Sequence, residues 1–232
     1  MDELALALTT AFDLVLGLDP GLVEIVLLSL RISLTAVLLA TALALPFGAA
    51  VALVSFPGRR LVIVLLNAAM GLPPVIVGLV IYLLLSRAGP LGEAGLLFTP
   101  TAMIIAQTVL VFPIIAALAR QTISDLHEEY DEQLRSLGSG TWQSIVTLIV
   151  DGRLRLMTGV LAGFGRAIAE VGAVLIVGGN ILHSTRVMTT TIVLETSKGN
   201  LALALALGLI LITVAAGVNE EEQRLMIELQ PR

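Results

Sequence analysis

"LVEIVLLSLRISLTAVLLATALALPFGAAVALV", residues 22–54, decides the fold class. From Arg31 to its end this run is long enough to cross a bilayer, which takes about 20 apolar residues in a helix. Glu24 and Arg31 then fall near one interface, where an arginine can snorkel. Pro46 is expected to bend the helix rather than end it, because neighbours at membrane depth can re-satisfy the backbone it frees. The rest of the chain is built alike. Of 232 residues 57% are hydrophobic and 13% charged, with a mean hydropathy of +0.99, whereas soluble domains are about 25% charged. The sequence is read as an all-α integral membrane protein. Its net charge of −5 says little, since orientation follows the placement of Lys and Arg. It has no cysteine, which excludes disulfides, thiolate catalysis and Cys-based metal sites.

Working outward, four more spans follow, at about 61–85, 101–118, 156–177 and 201–218. The 22–54 span closes in the turn "SFPGRR"; the next contains Pro73-Pro74 and the third Pro113. The alternation in "LALALALGL" is no evidence for a strand, because both of its residue types are apolar. Residues 3–18 are too short for a span and are followed by Asp19-Pro20, so they are read as an amphipathic helix on the membrane surface. A first span that begins early is the alternative. The opening "MDELALALTT" lacks the basic n-region of a cleaved signal peptide. "TRVMTTTIVLE", within 181–198, is expected to be a short helix at the interface. The acidic tail, 219–232, is read as solvated, beyond a single membrane domain at 1–218.

Five spans place the termini on opposite sides. Arg59, Arg60, Arg120, Arg135, Arg153 and Arg155 fall in the first and third loops; Arg87, Arg186 and Lys198 fall in the second and fourth. The positive-inside rule puts the first and third loops in the cytoplasm, with the N-terminus outside and the C-terminus inside.

The third loop, 120–153, is too long for a turn and too apolar for a free linker. Leu134, Leu137, Trp142, Ile145 and Leu148 could form one buried side of a broken helix. Gly138 and Gly140 would set the turn between its halves. Such a helical lever on the cytoplasmic face suggests docking to a soluble partner.

Here the sequence resembles the permeases of ABC importers. Their cytoplasmic motif is Glu-Ala-Ala, three residues, Gly, nine residues, Ile, one residue, Leu-Pro. Glu132 and Gly138 match it literally. Gln133-Leu134 stand at the Ala pair, Leu148 near the Ile and Val150-Asp151 at Leu-Pro. Three spans precede this motif and two follow, as in the five-span core of that family. "FGRAIAEVGAVLIVGGN", 164–180, is similar to the segment that follows this loop in permeases for sulfate, molybdate and tungstate. Arg166, Ala167, Glu170, Gly172, Ala173 and Gly179-Asn180 fall on its pattern. "TRVMTTTIVLETSKGN" resembles the tungstate branch most, and "GLPPVIVGLVIYLLLSRAGPLG" the family's second span and outer loop.

The resemblance implies a five-span bundle of type I with an N-terminal interfacial helix and a cytoplasmic coupling helix. It also implies import of a tetrahedral oxyanion, tungstate first, by alternating access in the inner membrane. Molybdate or sulfate are the alternatives within the class. The implied partners are a second copy of the chain, two cytoplasmic ABC ATPase subunits that bind ATP and Mg, and an extracytoplasmic oxyanion-binding protein. Membrane lipid surrounds the chain, and no nucleic acid is expected. The ATPase-coupling candidates are Glu132, Leu134, Leu137, Gly138, Trp142 and Leu148.

Arg166 and Glu170, four apart, would share one face of the fourth span. Charges at that depth are costly and are expected to be partnered. A packing pair and a charge lining the anion path are both open readings. Gly172, Asn180, Pro73 and Pro74 join them as candidates for a path or gate. Gly159 and Gly163 form a small-xxx-small face suited to close helix contact. Asn67 and Gln107 are expected to hydrogen-bond across helices, and His183 to be structural or solvent-exposed rather than a metal ligand.

Several absences bound the alternatives. With no Gly-x-x-x-x-Gly-Lys-Ser/Thr loop the chain is not expected to hydrolyse ATP itself. With no His-Glu-x-x-His or Gly-x-Ser-x-Gly motif an intramembrane hydrolase is disfavoured. A secondary transporter driven by an ion gradient would need coupling acids in several spans, and only Glu170 qualifies.

Overall fold

The computed structural model describes residues 2–228, with the backbone alone for 2–5, 226 and 228. The described residues form ten α-helices and one 3-10 turn, with no strand. The helices are α1 (Asp2–Leu16), α2 (Pro20–Leu53), α3 (Arg59–Met70), α4 (Pro74–Leu85), α5 (Pro100–Ser136), α6 (Thr141–Asp151), α7 (Arg153–Ile168), α8 (Gly172–Gly178), α9 (Met188–Ser197) and α10 (Leu201–Glu228). By length and composition α2, α5 and α10 can each cross a bilayer; α3 with α4 and α7 with α8 bring the total to five if each broken pair is one span.

Four boundaries differ from the sequence reading. The third span does not end near 118: α5 runs unbroken to Ser136 and carries half of the segment expected to face the cytoplasm. It can do so because Ile123, Leu126 and Leu134 bury one side, and no Gly or Pro follows Pro113 before Gly138. Helix α2 continues through Pro46, as the sequence reading expects. The second span is interrupted at 71–73. Pro74 takes the first helical position of α4, where a missing N–H costs nothing, while the Pro pair disfavours helix just before it. The fourth span breaks after Ile168 and restarts at Gly172. Lastly, α10 carries on from the fifth span through Glu228; its acidic portion is mostly exposed but helical. The end of the predicted tail, 229–232, lies outside the described residues.

The contacts divide the chain into two compact units, 1–36 with 73–107 and 167–217, and 37–72 with 108–166 and 218–232. In the first unit, Ile32, Met103, Val174, Val177, Met188 and Leu207 are fully buried. Here α9, expected as a short helix, packs into the unit. Met188, Thr189, Thr190 and Thr191 are all buried, and the Met188 N–H donates to Ser29 Oγ at 2.7 Å. Its three threonines can be buried because their hydroxyls find acceptors within the protein.

In the second unit, Ala49 and Ala52 of α2 pack with Ile123, Leu126 and Leu134 of α5, Ile145 and Leu148 of α6, and Leu156 of α7. Gly159 and Gly163 serve the close contact the sequence predicts. A Cβ on Gly163 would lie 2.8 Å from Val111, and one on Gly159 3.2 Å from Leu118, so α7 rests directly on α5.

Candidate functional site

Two sets of features stand out, one in each unit. In the first unit they gather around the break in the fourth span. A non-helical backbone at membrane depth is tolerated only where protein groups replace the lost helical bonds. Three side-chain bonds do this. Gln107 of α5 donates from Nε2 to the Ala167 carbonyl at 3.0 Å. Thr189 of α9 donates to the Glu170 carbonyl at 2.8 Å. Glu170 Oε1 accepts the Ala173 N–H at 3.0 Å, capping the first turn of α8. Each bond contributes about 1 kcal/mol net, and leaving a buried group unpaired costs more. Glu170 is 3% exposed, so its carboxylate lies buried against the positive end of α8.

Arg166 lies in the last turn of α7 and Glu170 just beyond its end, so the break falls between the two residues that the sequence reading put on one face. Arg166 is half-buried.

The other path candidates are placed as follows. Pro73 and Pro74 form the entry of α4. Gly172 opens α8, and a Cβ there would sit 2.8 Å from Val75 Cγ2. The starts of α4 and α8, each directly after a break, therefore lie side by side. Further along α4, a Cβ on Gly78 would stand 2.7 Å from Ala173 Cα. Asn180 follows α8 with φ 52; its Oδ1 accepts from Thr190 Oγ1 at 2.9 Å, which ties this corner to α9. The structure thus brings Pro73, Pro74, Gly172 and Glu170 to one region of the first unit, with Asn180 at the far end of α8.

Gln107, expected to hydrogen-bond across helices, does so at the break. Asn67, given the same expectation, is exposed on α3. His183 is paired, through Nδ1, with Glu24 Oε2 at 2.9 Å. Among the described residues no cluster of three or more His, Cys, Asp or Glu could hold a metal.

In the second unit the features are those of the lever. Helix α5 ends in a tight reversal: the Ser139 N–H donates to the Leu134 carbonyl at 3.0 Å and the Gly138 N–H to the Arg135 carbonyl at 3.0 Å. Gly138 sits between them at φ 66. This is the paired-bond helix end that favours glycine in the left-handed conformation. The Gln143 side chain then accepts the Gly140 N–H at 3.0 Å and starts α6. Along the end of α5, Asp131 lies at 2.9 Å from Arg135 and 3.7 Å from His127, a turn to either side.

The predicted single buried side of this segment is two surfaces. Leu134, Ile145 and Leu148 are buried at 8%, 5% and 1% exposure, whereas Leu137 and Trp142 are 82% and 70% exposed. Trp142, Val146 and Val150 recur every four residues, so the exposed apolar groups line one face of α6 while Ile145 and Leu148 hold the other. Glu132 is exposed on the last turns of α5. This exposed apolar face lies on the most polar part of the chain.

Residues 44–218 match the family model for the binding-protein-dependent transport system inner membrane component. The chain is 44% identical over 204 residues to a probable anion ABC transporter permease protein of Haloferax volcanii, covering 85% of this chain and 88% of that one. It is 41% identical over 219 residues to the tungstate uptake system permease protein TupB of Peptoclostridium acidaminophilum, covering 94% and 96%. A molybdenum transport system permease protein, ModB of Escherichia coli, is more distant at 27% over 186 residues, covering 76% and 81%. The matched region takes in three of the five spans in full and parts of α2 and α10, together with the lever, and on that extent the chain belongs to the family of binding-protein-dependent transport system inner membrane components.

Proposed function

We propose that this chain is the membrane-spanning subunit of an ATP-driven importer of a tetrahedral oxyanion, tungstate, working by alternating access. The observation that carries the reading is the 41% identity to a tungstate permease along 94% of the chain. The 27% identity to the molybdenum permease favours tungstate over molybdate. On this reading the chain pairs with a second copy, and two cytoplasmic ATPase subunits bind ATP and Mg and carry out the hydrolysis. An external binding protein delivers the anion. The chain has its N-terminus outside and its C-terminus in the cytoplasm, which puts Arg59, Arg60, Arg135, Arg153 and Arg155 inside.

The lever would seat its exposed Leu137, Trp142 and α6 face in a groove of the ATPase, with Leu134 and Leu148 holding the lever to its own unit and Glu132 at the rim. The pull of ATP-driven closure would pass along α5, which runs without interruption from the lever turn to Gln107 at the break. Arg166, Glu170, Gly172, Asn180, Pro73 and Pro74 would bound the path or its gate. Glu170 suits a permease better than an isolated arginine would. Its charge offsets the positive end of α8, so a divalent anion is attracted weakly and released.

The experiment is ATP hydrolysis by the assembled complex in vesicles. Stimulation by the external protein loaded with tungstate, and loss of stimulation when the permease is omitted, support the proposal. Uptake that follows an imposed sodium or proton gradient without ATP or an ATPase partner refutes it.

A further inference from the structure

Beside the break in the fourth span lies a small cavity. It offers about 10 Å³ to the centre of a water-sized sphere, which is about what one water molecule requires and less than anything larger needs. A tetrahedral oxyanion does not fit. Its wall is unusually polar for this depth: Ser29, Ser33, Gln107, Glu170 and Thr189 all line it, and all five are at least nine-tenths buried.

One of these groups is incomplete. Gln107 uses Nε2 to bind the Ala167 carbonyl, but its Oε1 is buried with no hydrogen-bond partner in the protein. An amide oxygen left unpaired in a low-dielectric interior is costly, and the cost is removed by one small donor. Flipping the amide gives no relief, since its oxygen would then face the Ala167 carbonyl. The missing partner must therefore donate a hydrogen bond, be no larger than water, and tolerate hydroxyl and carboxylate neighbours.

We propose that this cavity holds one internal water molecule that donates to Gln107 Oε1 and makes its remaining bonds to the hydroxyl and carboxylate groups of the wall. The site joins α2, α5, α9 and the break into one hydrogen-bonded unit. The water is thus part of the device that keeps the fourth span broken, whichever anion the protein carries. It also sets what Gln107 must be: Glu at this position would present a second acceptor or a charge, and Leu would leave the Ala167 carbonyl unpaired and expel the water.

Two measurements on the complete transporter test this. Radiolytic hydroxyl labelling reports side chains that lie against bound water. Ile168 and Val187, which also line the cavity, are expected to be labelled several-fold more than Val77 and Ile81, which are no more deeply buried and lie outside it. Substituting Gln107→Leu should abolish that excess. The second measurement, on the unmodified protein, is a density map that resolves waters; a single peak at hydrogen-bond distance from Gln107 Oε1 is expected. An empty cavity, labelling no higher than at Ile81, or a peak at metal–oxygen distance whose occupancy follows sodium concentration overturns the proposal.

Discussion

Replacing Gly78 by alanine tests the packing on which the site rests. The added Cβ would lie 2.7 Å from Ala173 Cα, 3.2 Å from its carbonyl oxygen and 3.3 Å from its Cβ. Favourable carbon–carbon contacts fall at about 3.5–4.0 Å, and the nearest atom is backbone, which no rotamer change can move aside. Helices α4 and α8 must therefore separate by about 1 Å to restore such contacts, or the new methyl group must sit in strain. Overpacking of this kind costs about 1–3 kcal/mol. The helix propensity gained on losing glycine returns about 0.5–1 kcal/mol. With backbone as the nearest atom the overpacking falls in the upper half of that range, about 2–3 kcal/mol, so the net expectation is destabilisation of about 1–2.5 kcal/mol, or a fall in Tm of about 2–10 °C for a chain of this size. Gly208→Ala is the matched control, since nothing lies within 4 Å of a Cβ there; it should be neutral or slightly stabilising. Thermal unfolding of the purified protein in one detergent, both variants side by side, reads the difference. A Gly78→Ala protein as stable as the parent, or a Gly208→Ala protein that loses as much, refutes the close contact of α4 and α8.

Further expectations follow from the lever and the outer loops. Gly138→Val meets no steric obstacle but must hold φ 66, at a cost of about 1–2 kcal/mol; anions moved per ATP hydrolysed should fall, and Gly138→Asn should fall less, since Asn accepts this conformation. Trp142→Ala should leave the permease's own Tm almost unchanged, within about 0.5 kcal/mol, yet reduce co-purification of the ATPase. Leu148→Ala, at a site 1% exposed, should cost about 2–5 kcal/mol of stability. Glu195 of α9, outside the spans, is held below the usual carboxylate range by hydrogen bonds from Lys198 and Asn200. A depressed carboxyl stabilises the fold above its unfolded pKa and loses that contribution as pH falls through the lowered one. Tm should therefore drop on acidification in this range, and Glu195→Gln should flatten the slope.

Much of this was legible in the sequence because bilayer depth imposes a length. The apolar runs near 22–54, 61–85, 101–118, 156–177 and 201–218 each became a helix or a broken pair of helices. The lever turn was legible too, since Gly138 is the one residue type that the helix end accepts at φ 66 without strain. The break at 169–171 was not. Ala169, Glu170 and Val171 carry no proline, and local preference continues the helix through them. What stops it are hydrogen bonds from Gln107 and Thr189, sixty and nineteen residues from the carbonyls they bind, together with a cap from Glu170 itself. The two-faced character of α6 escaped for a related reason. Trp142 and Ile145 are both apolar, so composition could not say which one faces its own unit. Burial of α9 was hidden by its threonines, which look like surface residues until their acceptors are known.

The central claim is ATP-driven import of tungstate through this chain. Its most direct measurement is initial-rate uptake of labelled tungstate into vesicles that contain the permease, its ATPase and the external binding protein. The account predicts uptake that requires ATP within reach of the ATPase, is suppressed by unlabelled tungstate well before equal molybdate or sulfate, and disappears when the lever is disabled by Gly138→Val. Uptake that proceeds without ATP, or a complete system that carries sulfate and leaves tungstate outside, would contradict it.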